Sequence, residues 1–263
     1  MNTKSEIASA EQEFSLALQF LGRLHAGQFP ADAVQLAKDD PEHPIWAMLE
    51  TLSPKQVPVI PAKPITTSIK ASDTDLFSQL SKAEAFTKEY FGVSVKLAEI
   101  FQIPETVPWE SVLPVFVPAG FNNRKGFELL QKLGLNSWEE TDVMRHSDSS
   151  ASDKHQLFLI QNSERPDKDT MEMSPNQLRK TGNLFLNLKG YAIAMGLYHQ
   201  STKGYLDSKE TFTWFPENRL SSGEVACGKW NPGDRRVGFY CSNPDYENDY
   251  GGARLAISVS LET

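Results

Sequence analysis

Residues 221–261 read SSGEVACGKWNPGDRRVGFYCSNPDYENDYGGARLAISVSL, and this stretch decides the fold. It contains both cysteines, a strong turn signal at NPGD and the clearest strand pattern in the chain. Within it, apolar residues alternate with small or polar ones, which is the period of a half-buried strand. The apolar set is Leu255, Ile257, Val259 and Leu261, and Arg254 is in the polar set. We therefore predict a closing β strand over residues 253–261 that joins a sheet formed earlier in the chain.

Composition sets the limits for the function. The chain has 263 residues, 40% hydrophobic and 23% charged, which is typical of a soluble globular protein able to bury its own core. The net charge of −8 argues against duplex nucleic acid as a partner, because phosphate contacts need clustered Lys and Arg. Residues 1–22 are acidic and amphipathic, unlike a signal peptide, and no apolar run approaches the roughly 20 residues of a membrane helix. These features predict a cytoplasmic protein without membrane contact.

Periodicity divides the chain into three parts. Residues 1–52 have helical spacing and predict a small helical region. Residues 53–72 contain four prolines, which hold a chain extended, and we interpret them as a Pro-rich linker. Residues 73–263 follow as an α+β domain. The predicted fold class is α+β, with N-terminal helices followed by a mainly antiparallel-sheet C-terminal domain.

Local patterns place the elements of that domain. Ser72 and Asp75, at capping-box spacing, predict the start of a helical region that extends to residue 103, and residues 122–133 predict a compact helix. Apolar or alternating runs predict strands at 112–117, 156–161, 184–188, 191–197 and 210–215. His199 would then end the 191–197 strand, where a structural histidine is more common than a catalytic base.

The two cysteines leave two interpretations open. Cys227 and Cys241 flank the NPGD turn, and a hairpin there could bring them together as a disulfide. Reducing conditions in a cytoplasmic chain favour two free thiols instead. A catalytic cysteine would need a histidine supplied by the fold, because none lies within twenty-five residues in the sequence.

Residues 243–252, NPDYENDYGG, predict a functional loop. Tyrosine together with Asn, Asp and Ser is the composition of binding loops. The acids at alternate positions permit a calcium site as the one candidate cofactor. The run is not an EF-hand loop: counted from Asp245, the sixth position is Tyr250 instead of Gly and the twelfth is Ala256 instead of Glu.

Two further clusters are weaker candidates. His146, Asp148, Asp153 and His155 could ligate a transition metal, but their spacing matches no motif, so a polar surface loop is favoured. Residues 235–236 are both arginine and lie near aromatic residues, which permits stacking on single-stranded nucleic acid. The net acidity ranks this below the binding loop. No phosphate-binding glycine loop, nucleophile elbow or HExxH motif is present in the sequence.

The order of motifs near the C-terminus resembles the closing segment of C-type-lectin-like folds. It is similar to the branch shared by formylglycine-generating-enzyme-like proteins and the variable proteins of diversity-generating retroelements. The resemblance rests on Gly228-Lys229-Trp230, Arg235-Arg236, residues 243–250, Gly252-Ala253-Arg254-Leu255-Ala256 and, upstream, Ala194-Met195-Gly196-Leu197. It implies a stable scaffold that presents a ligand-binding surface. The implied contacts are Trp230, Tyr240, Asp245, Tyr246, Asn248, Asp249 and Tyr250.

The first functional hypothesis is a non-enzymatic binding module whose polar and aromatic C-terminal loop meets a protein or another macromolecular ligand. One alternative is a hydrolase-type enzyme whose residues come together only in the fold. Another is a phage-derived structural or interaction protein in which the N-terminal helices oligomerise. A pocket that joins His199 or His155 to Cys227 or to acids would favour the enzyme, and an exposed surface rich in Tyr, Asn and Asp would favour the binding module.

Overall fold

The computed structural model describes residues 68–140, Val143 and 151–261, and this part of the chain is α+β, as predicted. The strands are β1 (Ile69–Lys70), β2 (Thr106–Val107), β3 (Val112–Val117), β4 (Ser137–Glu139), β5 (Gln156–Gln161), β6 (Phe212–Arg219), β7 (Val225–Asn231), β8 (Arg236–Ser242), β9 (Gly251–Gly252) and β10 (Ala256–Val259). The helices are α1 (Leu76–Phe91), α2 (Leu97–Ile100), α3 (Asn123–Lys132), α4 (Pro175–Lys180) and α5 (Leu188–Thr202). Helices and strands are interleaved until α5, and strands dominate after it. The predicted helical region 1–52 and residues 53–67 of the predicted linker lie outside the described residues.

The described strands form three sheets. β1 and β2 make a two-stranded antiparallel pair, so residues 69–70 of the predicted linker belong to a sheet. The second sheet has the order β10-β5-β3, and both of its pairings are antiparallel. The third has the order β4-β8-β7-β6-β9, with antiparallel pairing in the centre and parallel pairing at the two edge strands. Helix α5 contacts β3 of the second sheet and β7 of the third, so it lies between them.

Several local predictions are confirmed. β3 and β5 occupy the predicted ranges 112–117 and 156–161, and β6 overlaps the predicted strand at 210–215. Helix α3 begins after Asn122, whose side chain accepts a hydrogen bond from the backbone N–H of Lys125. The helical prediction for residues 72–103 separates into α1 and α2 at Gly92, which has a left-handed backbone conformation.

The strand predicted at 191–197 is wrong, because these residues belong to helix α5. The strand predicted at 184–188 is reduced to an isolated β-bridge between Phe185 and Leu255, and Leu188 already begins α5. All ten residues from Leu188 to Leu197 are buried, so the helix has no polar face and no 3.6-residue period. Small residues between the large ones imitated the period of a strand. They allow close packing: a Cβ on Gly196 would lie 2.6 Å from Leu133 Cδ1 and 3.0 Å from Phe86 Cζ. The missed signal is Asn187, whose side chain caps the helix by accepting from Gly190 N–H.

At the C-terminus, β10 adds to the edge of the second sheet formed earlier in the chain. Its ladder with β5 runs from the pair Ala256 and Ile160 to the pair Val259 and Leu157. The prediction placed Arg254 among the solvent-facing positions, and this is wrong. Arg254 is only 1% exposed, because its side chain enters a cage of acceptors between the sheets.

Asp75 connects the start of α1 to the start of β3. Its carboxylate accepts hydrogen bonds from the N–H of Val112 (2.9 Å), the hydroxyl of Ser111 (2.8 Å) and the amide of Gln79 (2.9 Å). Burial alone would raise the pKa of Asp75, but these hydrogen bonds lower it below its ordinary value. The capping box expected from Ser72 and Asp75 does not form, because α1 begins only after Asp75 and Ser72 lies in a separate short helical turn at Ala71–Asp73.

We predict that Asp75→Ala lowers the free energy of unfolding by about 1–3 kcal/mol, since the buried Val112 N–H loses its acceptor. Urea denaturation followed by tryptophan fluorescence measures this. The exposed neighbour provides the control, and Asp73→Ala should change stability by less than about 0.5 kcal/mol.

Urea denaturation repeated at several pH values tests the contribution of the negative charge of Asp75. Because the pKa of Asp75 is lowered, the stability it contributes is present at neutral pH and is lost as the pH falls through that pKa. Asp75→Asn should therefore approach the wild type in acid. Equal stability of Asp75→Ala and wild type at neutral pH would show that this connection contributes nothing.

Candidate functional site

Residues 243–250 connect β8 to β9, and we name them the C-terminal loop. An asparagine turn closes each end: Asn243 Oδ1 accepts from the N–H of Asp245 at 2.9 Å, and Asn248 Oδ1 accepts from the N–H of Tyr250 at 2.8 Å. The carbonyl of Asn248 also accepts from Gly251 N–H at 3.0 Å. Short-range hydrogen bonds therefore define the loop backbone.

Helix α4 holds the same loop from the side. Asn176 Nδ2 donates to Asp245 Oδ1, and Gln177 Nε2 donates to Glu247 Oε1, both at 2.6 Å. The backbone N–H of Asn176 donates to the carbonyl of Pro244 at 3.0 Å. Two carboxylates that suggested calcium thus bind separate amides of one helix. No group of three or more His, Cys, Asp or Glu side chains converges as a metal site among the described residues.

The loop exposes two aromatic rings. Tyr246 is 50% exposed and Tyr250 is 53% exposed, although the backbone around them is hydrogen-bonded. Asn248 Nδ2 donates to the hydroxyl of Tyr246 at 3.0 Å, which orients that ring. The carbonyl of Tyr250 accepts from Phe212 N–H at 3.0 Å, which attaches the end of the loop to β6. Asp249 is exposed beside them.

The structure separates the other two predicted contacts from the loop. Trp230 pairs with Val237 at the hairpin end of β8, and the loop begins at the other end of that strand. Val237 and Asn243, the first residue of the loop, are six positions apart, which is about 20 Å along a strand. Trp230 is 7% exposed and stacks on Tyr205, with ring centroids 3.6 Å apart.

Tyr240 lies on the opposite face of the sheet from Trp230, because side chains alternate between the faces along β7 and β8. Its hydroxyl accepts from Asn231 Nδ2 at 2.6 Å, and its ring centroid lies 5.4 Å from that of Trp138. The predicted contacts therefore form a loop group (Asp245, Tyr246, Asn248, Asp249 and Tyr250) and two residues elsewhere on the sheet.

The cysteines are free thiols. In the ladder between β7 and β8, Cys227 is opposite Tyr240 and Cys241 is opposite Ala226, so the two thiols point to different faces. This register excludes the disulfide and explains why a turn between two cysteines is not enough for one. Burial raises the pKa of Cys227 to about 12 and that of Cys241 to about 11, which disfavours a reactive thiolate in either.

The described histidines have structural contacts. His199 lies on α5 instead of at a strand end, with Nδ1 3.0 Å from the carbonyl of Gly204 and its ring stacked on Tyr205. His155 Nδ1 accepts from the backbone N–H of Ala119 at 3.0 Å. His146 and Asp148, which complete the weak metal hypothesis, lie outside the described residues. Neither described histidine is placed as a base for a cysteine.

The most buried charges lie near the end of the chain. Arg254 and Asp207 form an ion pair of 3.0 Å with side chains 2% and 0% exposed. The guanidinium also donates to the hydroxyl of Thr213 and to the backbone carbonyls of residues 163–165. Asp207 accepts from the hydroxyl of Tyr191 at 2.8 Å. The sequence pattern missed this network, since it placed Arg254 in water.

Asp167 is a second buried acid beside this network. It is 5% exposed and accepts a 2.8 Å hydrogen bond from the N–H of Leu255. Burial raises the pKa of Asp167 to about 6, although that hydrogen bond and the charge of Arg254 favour the ionised form. Its ionisation therefore opposes folding across the mildly acidic range.

Comparison with known proteins adds no assignment: no protein family, curated protein or solved structure matches this chain. The likeness to C-type-lectin-like folds stays a prediction. Its upstream motif, Ala194-Met195-Gly196-Leu197, was compared with a strand but belongs to helix α5. No helix in the described ranges is long and apolar enough to cross a membrane.

Asp167 generates a prediction of pH dependence. Because its pKa rises from 3.8 to about 6 on folding, the native state binds the proton more tightly, and this group lowers stability as the pH rises from about 4 to about 7. The loss amounts to about 3 kcal/mol, at about 1.4 kcal/mol for each pH unit. Asp167→Asn cannot ionise, so it should gain about that much stability relative to wild type over this range, as measured by urea denaturation.

The exposed Asp169→Asn is the control for Asp167→Asn, because it makes the same chemical change in the same short helical turn at Lys168–Thr170. The stability difference between Asp167→Asn and wild type should change with pH more than the difference for Asp169→Asn does. An equal change for the two variants would contradict the prediction.

Proposed function

We propose that this chain is a non-enzymatic binding module that recognises a protein partner through the C-terminal loop. The observation that carries the proposal is the half exposure of Tyr246 and Tyr250 on a backbone that is hydrogen-bonded at both ends and braced by α4. A loop already ordered before binding loses less conformational entropy on association. Tyrosine adds rigid contact area with a polar end, which suits a protein surface.

The charges of the loop indicate the partner's chemistry. Asp245 and Glu247 each accept a hydrogen bond from a neutral amide, and Asp249 adds a third carboxylate. Negative charge around two aromatic rings complements a surface with Lys or Arg beside an apolar patch. The partner surface in this proposal is therefore basic and partly apolar.

The described residues favour a binding module over the hydrolase alternative. The raised thiol pKa values of Cys227 and Cys241 and the backbone contacts of His199 and His155 support structural roles for these groups. The phage-derived interaction hypothesis rests on residues 1–52, which lie outside the described residues.

We predict that the double variant Tyr246→Ala/Tyr250→Ala loses its partner while keeping its fold. Truncating central interface tyrosines weakens binding by tenfold or more, at about 1.4 kcal/mol for each factor of ten. Affinity capture from the native cells with quantitative mass spectrometry identifies partners that depend on the loop. Titration calorimetry with the purified partner then measures the loss.

Phe77→Ala provides a matched control, because Phe77 is 51% exposed on α1. It should retain the partner, and all variants should keep the wild-type melting temperature. A large fall in the melting temperature of the double variant would instead assign the tyrosines to packing. Equal capture by the wild type and the double variant would overturn the proposal.

A further inference from the structure

A pocket of about 460 Å³ lies at the hairpin end of β7. One side is formed by Arg165 and residues 208–211, and the other by residues 229–232. Trp230 in this wall is fixed from behind by the parallel ring of Tyr205. The pocket is therefore built by three separate segments around a rigid aromatic wall.

The pocket carries unbalanced positive charge. Three cations line it, namely Arg165, Lys209 and Lys229, against the single acid Glu210. Lys209 forms an ion pair of 3.0 Å with Glu164. Neither Arg165 nor Lys229 forms an ion pair with a carboxylate of the described residues. Two cations without an ion-pair partner among the described residues, on the two sides of one pocket, are suited to a phosphate group.

An aromatic and cationic surface continues from the pocket. Lys229 and Asn231 point to the face of the sheet that also carries Tyr240, and Lys229 Nζ lies 5.7 Å from the centre of the Tyr240 ring. On the next strand over, β4 presents Trp138, which is 37% exposed. The guanidinium carbon of Arg236 lies 5.0 Å from the centre of the Trp138 ring. Each ring on this face is thus paired with a cation.

We propose that the pocket and this face together bind a short segment of single-stranded nucleic acid. A backbone phosphate occupies the pocket between Arg165 and Lys229, and adjacent bases stack against Tyr240, Trp138 and the Arg236 guanidinium. Rings on an open sheet reach unstacked bases, and every base offers a π-face, so binding depends little on sequence. A duplex does not present its bases this way, in agreement with the absence of duplex binding predicted from the net charge.

The test measures fluorescence anisotropy of a labelled single-stranded oligothymidylate of about 12 nucleotides, at about 50 mM and about 200 mM salt. Arg165→Ala/Lys229→Ala should weaken binding at least about tenfold and reduce the dependence of log affinity on log salt by about 0.7, the value for the one phosphate contact that is lost. Trp138→Ala should weaken binding at least about fivefold while changing the salt dependence little, because it removes stacking and no charge.

Two variants separate this site from general electrostatics and from the proposed function. Lys168→Ala/Lys180→Ala removes two exposed cations elsewhere and should leave the affinity within about twofold of wild type. Tyr246→Ala/Tyr250→Ala should also bind the oligonucleotide normally. Thermal melting of each variant checks the fold, and Trp138→Ala, an exposed position, keeps the test informative if the pocket variant is unstable.

Three results would overturn the proposal. The first is no oligonucleotide binding by the intact protein at low salt. The second is an equal loss for the control cations and the pocket cations. The third is binding of inorganic pyrophosphate alone, detected by calorimetry and abolished by Arg165→Ala/Lys229→Ala, which would define a small-anion pocket instead.

Discussion

The buried ion pair between Arg254 and Asp207 is the interaction on which the rest of the structure depends. Each of the five guanidinium N–H groups has an acceptor, supplied by the chain after β5, by β6 and by Asp207 itself. Asp207 is connected in turn to α5 through the hydroxyl of Tyr191. Removing one partner of such a pair leaves a buried charge and destabilises a protein by about 3–5 kcal/mol. The pair therefore connects α5 to segments from both large sheets.

The sequence predicted an element correctly where clear signals mark its ends and its polar and apolar residues follow one regular pattern. β5 (QLFLIQ) is a short apolar run with polar ends, and α3 has an asparagine cap and one apolar face, so sequence patterns found both. Helix α5 could not be found in this way. Burial on all sides removes the contrast between polar and apolar faces that a periodicity search needs, and the small residues required for its close packing produced a false alternation. The prediction that Arg254 faces solvent was wrong for a related reason. A charged residue in an alternating segment is assigned to the solvent-exposed face unless its buried partners are known.

In the candidate site, too, features that depend on neighbouring residues could be predicted, and features that depend on distant segments could not. The composition of residues 243–250 predicted a binding loop, and the structure exposes its two tyrosines as such a loop requires. The amides that brace the loop come from α4, about seventy positions earlier in the chain, and no local pattern connects them to it. Trp138 reaches the sheet through a parallel pairing with β8, about a hundred positions later, so its position beside Tyr240 is also invisible in the sequence. Neighbouring residues such as Trp230 and Tyr240 were grouped by sequence, although the alternation of β strands places them on opposite faces.

The two proposed surfaces meet at the start of β6. The last residue of the loop, Tyr250, accepts a hydrogen bond from the N–H of Phe212, and Thr211, the residue before Phe212, lines the pocket. An acidic loop repels nucleic acid at short range, and the chain as a whole has a net charge of −8. The Debye length at physiological ionic strength is about 8 Å, so only the loop carboxylates farther than this from the pocket are largely screened there. Both surfaces join the segment 211–213, where Arg254 donates to the hydroxyl of Thr213. A phosphate in the pocket meets Arg165 and Lys229, whereas Arg236 on the adjoining face forms an ion pair of 2.9 Å with Asp234. Two cations in one pocket attract a short single strand locally, whereas duplex contacts over a wide surface would meet the net negative charge of the chain.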